Sequence, residues 1–136
     1  MVMDVVLLVG RILFALIFIA SGFAHFAQAD AMAGYAKMKG APGGKAGVLL
    51  TGLMILLGGI SVAAGIYGQI GALLLIAFLL PTSVLMHAFW KEEDPMAKQT
   101  ENVMFMKNIA LAGGSLVLLW VFSQSDLPFT VTKALF

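Results

Sequence analysis

Four long apolar stretches, separated by short polar ones, set the pattern of this chain. They cover residues 5–26, 47–67, 70–90 and 103–122. Each reaches the roughly 20 residues that a helix needs to cross a bilayer. Arg11 in the first and Lys107 in the fourth are their only charges. Inside hydrocarbon every backbone amide needs an internal partner, so these runs are read as helices. Gly68 and Gln69 alone separate the second from the third, which predicts a tight hairpin. The expected fold class is all-α, an integral membrane antiparallel four-helix bundle forming one domain over residues 1–136.

The first connection carries structure of its own. Asp30 is placed to cap a helix over 31–39, Gly40 to stop it, and Pro42 to forbid its continuation. Met32, Tyr35 and Ala36 share one side of that segment. The pattern suits an interfacial helix lying on the membrane more than a lid over the bundle mouth. "FAQADA" at 26–31 offers an Ala-x-Ala cleavage pattern, but the apolar "VVLLVG" before Arg11 fits a signal n-region poorly. The first run is therefore read as a retained helix.

Composition strengthens the membrane assignment. Hydrophobic residues make up 61% of the chain and charged ones 11%, with a mean hydropathy of +1.01. So few charges leave the lipid bilayer as the principal partner. The net charge of +1 gives no reason to expect nucleic acid. The absence of cysteine removes disulfides, thiolate metal sites and covalent c-type haem. Lys37, Lys39, Lys45, Lys91 and Lys98 fall in the loops 27–46 and 91–102, against Lys133 at the other side. That bias places both loops in the cytoplasm and both termini outside.

Ionisable residues inside the runs call for an explanation, since a charge at a membrane helix centre costs about 2.5–3.5 kcal/mol. Arg11, Phe18, Gly22 and His25 share one helix face, so Arg11 is read as inward-facing, with outward snorkelling or pairing with Asp4 as the alternative. His25 ends the first helix and His87 nearly ends the third, which runs in the same direction. Lys107 lies early in the fourth helix, which starts from that side. Topology therefore brings His25, His87 and Lys107 to one level. Pro81 should kink the third helix, leaving Ser83, His87 and Trp90 on one face below it. These residues either line a pocket or anchor helices among headgroups. Two imidazoles can hold a haem b iron, yet nothing turns the rings toward each other, and no metal site is expected. Gly58–Gly59 and Gly113–Gly114 allow close helix contact. No nucleotide, metalloprotease or hydrolase motif is present, so there is no self-contained catalytic motif.

"GRILFALIFIASGFAHF", "YAKMKGAP", "HAFW" and "FMKNIALAGG" occur in this order over residues 10–119 and resemble the DoxX family. The segment Phe105, Lys107, Asn108 is the most specific part. The resemblance implies a small four-helix protein of the bacterial inner membrane, with relatives tied to quinone-linked oxidoreductases and oxidative stress. Two positions depart from the family: His25 stands where many relatives have Lys, and Ile55 where many have Glu. The reading implied is a redox-linked subunit binding a quinone or similar aromatic molecule through His25, His87, Lys107, Trp90, Asn108 and Arg11. No intrinsic cofactor is expected, and electrons would come from a soluble or membrane redox partner. The alternative is a non-enzymatic scaffold or chaperone-like subunit using the charged 91–102 segment; a homo-oligomer is compatible with either.

Overall fold

The computed structural model describes residues 1–136 and contains helices but no strands. In chain order the helices are α1 (Val2–Ala27), α2 (Ala29–Met38), α3 (Gly44–Ala64), α4 (Gly68–Met86) and α5 (Pro95–Phe122), with a single 3₁₀ turn at Phe89–Lys91. Segments Val2–Ala27, Gly44–Ala64, Gly68–Lys91 and Pro95–Phe122 are long and apolar enough to cross a membrane. The short helix α2 makes five in all.

Side chains record how the helices meet. Arg11 of α1 reaches Ala63 of α3, Ala15 and Phe18 lie against Gly59, and Gly22 lies against Gly52 and Leu56. Gly58 faces Leu75 of α4, so neighbouring glycines serve two different helices. Gly114 of α5 takes the ring of Phe14. Phe18, Ile55, Val62, Leu75, Leu79, Ala112 and Phe122 form the buried core. Many large apolar side chains point outward instead, among them Leu13, Leu50, Val117 and Trp120, as lipid contact requires.

The Gly52 contact links the fold to the site. A Cβ there would lie 2.5 Å from His25 Cβ. Gly52→Ala should therefore lower stability by about 1–3 kcal/mol, the range for overpacking, and should swing the His25 ring. Thermal unfolding in detergent measures the first effect, and the His25 imidazole resonance reports the second.

Several boundaries differ from expectation. The hairpin turn falls at 65–67, with Gly68 and Gln69 already inside α4. Gly65 at φ +66° and Tyr67 at φ +48° make that turn. Asp30 lies inside α2 rather than capping it, and its carboxylate pairs with Lys45 at 3.0 Å. Helix α4 ends at Met86, so Trp90 does not continue the face of Ser83 and His87. Helix α5 begins at Pro95, not 103: Asp94 accepts a hydrogen bond from Ala97 N at 2.8 Å, and Pro95 occupies a first-turn position that needs no amide partner.

Residues 123–136 return across the 65–67 end of the molecule. Val131 N and Thr132 N donate to Gly65 O at 3.0 and 3.1 Å, and Tyr67 N donates to Thr132 Oγ1 at 2.7 Å. The Gln69 amide bridges Leu135 N and Phe136 O. Arg11 is inward-facing and 1% exposed, donating through Nη2 to Phe129 O at 2.6 Å and Ala63 O at 3.3 Å. It does not pair with Asp4, whose partner is the Met1 amino group. Its guanidinium carbon lies 5.8 Å from the Phe122 ring centroid. Arg11 therefore fastens the tail to the helices.

Candidate functional site

A cavity of about 420 Å³ opens between the helices at the opposite end from the tail. It collects side chains from all five helices, which makes it the meeting point of the fold. His25 comes from α1, Tyr35 from α2, Thr51 from α3, Phe78 and Thr82 from α4, and Lys107 and Asn108 from α5; His87 follows α4. Apolar walls with a few polar groups are the usual form of a small-molecule site.

Helix α2 covers this cavity. Its Met32, Tyr35 and Ala36 side lines the interior, so the helix acts as a cover over the mouth. Gly40 at φ +77° and Gly43 at φ +105° let the chain turn sharply from α2 into α3.

An ionic cluster pins the cover. Glu101, 9% exposed, receives Lys39 Nζ on Oε1 at 2.9 Å and Tyr35 OH on the same oxygen at 3.2 Å. His87 Nδ1 lies 2.7 Å from its other oxygen. Lys39 also donates to Glu92 at 2.8 Å. The hydrogen bonds to Glu92 and Glu101 raise the Lys39 pKa above its ordinary value. Burial, and then the nearby Glu101 charge, raise that of Tyr35. A raised lysine pKa stabilises the fold fully at pH values below the ordinary 10.5, and this contribution fades only as pH climbs through the higher folded value. The stability difference between wild type and Lys39→Met should therefore stay constant from about pH 7 to about pH 9, as read by thermal unfolding in detergent.

The expected site residues separate into three groups. His25, His87, Lys107 and Asn108 line the cavity together. Trp90 lies outside it, 49% exposed, packed edge-on against Phe89 and Phe105 with centroids 5.1 and 5.7 Å away. This stack ties the 3₁₀ turn to α5 and lies apart from the residues that line the cavity. Arg11 lies at the other end under the tail and does not line the cavity. Glu101, Lys39 and Tyr35 escaped the sequence reading. One signal pointed to the first: Glu101, Asn108, Ala112 and Ser115 fall at spacings of seven, four and three, and all four are buried on one face of α5.

Two lining groups stand out chemically. Asn108 is 6% exposed, and its side-chain amide makes no hydrogen bond to the protein. Its amide atoms open onto the cavity, where a ligand would take up hydrogen bonds that water otherwise makes. The His25 ring is held by Nδ1 at 2.7 Å from Ser21 O and lies edge-on to Phe78 at 6.1 Å. Lys107 is exposed and rests its ammonium 3.4 Å from Met104 Sδ, reaching the cavity from its rim. No group of three or more His, Asp and Glu side chains gathers as a metal site.

Comparison with known proteins adds an independent line. The sequence model of the family described as DoxX matches residues 6–88. Inner membrane protein YqjF of Escherichia coli K12 is 32% identical over 118 residues, covering 85% of this chain and 82% of that protein. Inner membrane protein YphA of the same strain is 31% identical over 114 residues, covering 84% and 81%. No solved structure matches.

Proposed function

This chain belongs to the DoxX family of integral membrane proteins, and from that footing we propose that it binds a quinone or a similar aromatic small molecule in the cavity beneath α2. The long helices form an antiparallel four-helix bundle across the inner membrane, with loops 27–46 and 91–102 cytoplasmic. The protein serves as a redox-linked subunit whose electrons come from a partner protein.

Asn108 carries this reading. A side-chain amide that makes no hydrogen bond to the protein and opens onto a 420 Å³ cavity is arranged for a guest with polar edges. The Phe78 ring and the Met32 and Met54 side chains offer the apolar faces such a guest would stack on. Lys107 at the rim would favour developing negative charge on an oxygen. The scaffold reading has less support, because Glu92 and Glu101 of the charged segment are spent on internal contacts.

The test is direct binding. Purified protein should bind a short-chain ubiquinone analogue or its reduced form with micromolar affinity, followed by tryptophan quenching or calorimetry. His87→Ala should abolish it. Failure of both forms to bind, with capture of partner proteins unchanged in that variant, would overturn the reading in favour of the scaffold.

A further inference from the structure

We infer that the cavity is built for the hydroxylated, reduced form of its aromatic ligand, a hydroquinone or phenol, in preference to the quinone. The inference rests on the ligand-binding reading above and specifies which chemistry the two imidazoles select.

The argument starts from what holds each ring. Ser21 O is a carbonyl and can only accept, so the His25 Nδ1 at 2.7 Å carries the hydrogen. Glu101 takes the Lys39 ammonium at 2.9 Å and the Tyr35 hydroxyl at 3.2 Å on its other oxygen, which keeps it an anionic acceptor. His87 Nδ1, 2.7 Å from Glu101 Oε2, therefore carries the hydrogen as well. An imidazolium would carry hydrogen on both nitrogens, so the selection belongs to the neutral rings, and the test below is set at pH 8 for that reason. With hydrogen on Nδ1, the Nε2 of a neutral imidazole is a bare lone pair. The hydrogen bonds of both rings run through Nδ1, and both rings line the same cavity.

The end of α1 and the residue after α4 thus present an acceptor each to one space. A quinone carbonyl meeting either lone pair gains nothing and is repelled. A hydroquinone hydroxyl donates to it and can still accept from the unpartnered Asn108 amide. The two para hydroxyls of a hydroquinone also suit two acceptors that come from separate elements, the end of α1 and the residue after α4. The same logic extends to other phenols and excludes aprotic aromatics as good ligands.

The experiment compares a short-chain ubiquinol analogue with the matched ubiquinone, under anaerobic conditions at pH 8, by calorimetry on wild-type protein in detergent. The hydroquinone should bind about tenfold or more tightly, the effect of a gained hydrogen bond over a carbonyl–lone pair contact. Nitrogen-15 imidazole spectra of the same preparation should show Nδ1–H, Nε2-bare rings for both histidines. His25→Gln, whose amide can donate as well as accept, should shrink the preference. Equal or tighter binding of the quinone, or rings protonated on Nε2 instead of Nδ1, would overturn this inference while leaving the cavity as a binding site. Failure of both forms to bind would overturn the binding reading and this inference with it.

Discussion

Asn108→Leu should make the ligand-free protein more stable and at the same time destroy ligand binding. The amide sits 6% exposed with no hydrogen bond to the protein. Replacing it by an apolar side chain of similar volume breaks no hydrogen bond within the protein and adds apolar contact at the cavity wall, which should raise stability by about 1 kcal/mol. The affinity of the cavity for a hydroquinone analogue should fall about tenfold to a hundredfold, the effect of one or two lost hydrogen bonds in a desolvated site. Opposed signs for stability and binding are the mark of a residue kept for function. Thermal unfolding with and without ligand reads both from one preparation. A destabilised variant would mean that Asn108 holds the fold, and the case for a built site would lose its main support.

Glu101→Leu should release the cover. The change strands His87 and the Tyr35 hydroxyl at once and leaves Lys39 with Glu92 alone, because all three meet on that carboxylate. Hydrogen bonds to charged groups contribute about 1.5–3 kcal/mol each, and the partial exposure of Lys39 and Glu101 keeps the total at the lower end, near 2–3 kcal/mol. The loss should be local. Amide exchange and protease cleavage should rise across 28–44, the segment containing α2 and its glycines, while the four long helices keep their protection. Glu101→Gln should recover part of the loss, since its amide oxygen can still accept. Uniform loss of protection across all helices would show that the cluster holds the whole bundle and not the cover.

How far the chain announces this architecture depends on the range of the interaction. The four long helices follow from local hydropathy, and the shared level of His25, His87 and Lys107 follows from counting crossings. Both need only the order of apolar runs. The start of α5 was hidden because hydropathy fades over the charged residues 95–102, although Asp94 followed by Pro95 is a helix-start signal independent of hydropathy. Trp90 was misplaced for a related reason: the apolar run continues to 90, but the helix ends at Met86 and a 3₁₀ turn redirects the ring. The Lys39–Glu101 link joins residues 62 positions apart, and no local pattern encodes such a pair. Arg11 was legible as inward-facing from its helix face, yet its partner is Phe129 O on a tail with no strong pattern of its own.

The departures from the family resemblance also take a physical form. Ile55 is fully buried in the core. The acidic group beside His87 is instead Glu101, entering from α5. His25 abuts Gly52, and its lone ionisable ring is oriented by a backbone carbonyl rather than by a charge.

The most direct test of the central claim, that this cavity binds a polar aromatic ligand, is photo-crosslinking with an azido-hydroquinone followed by peptide mapping. The claim predicts label on peptides containing Tyr35, Thr82 and Asn108, competed away by unlabelled hydroquinone and lost in Asn108→Leu. Label confined to outward residues such as Leu13, Leu50 and Val117, and indifferent to competitor, would contradict it.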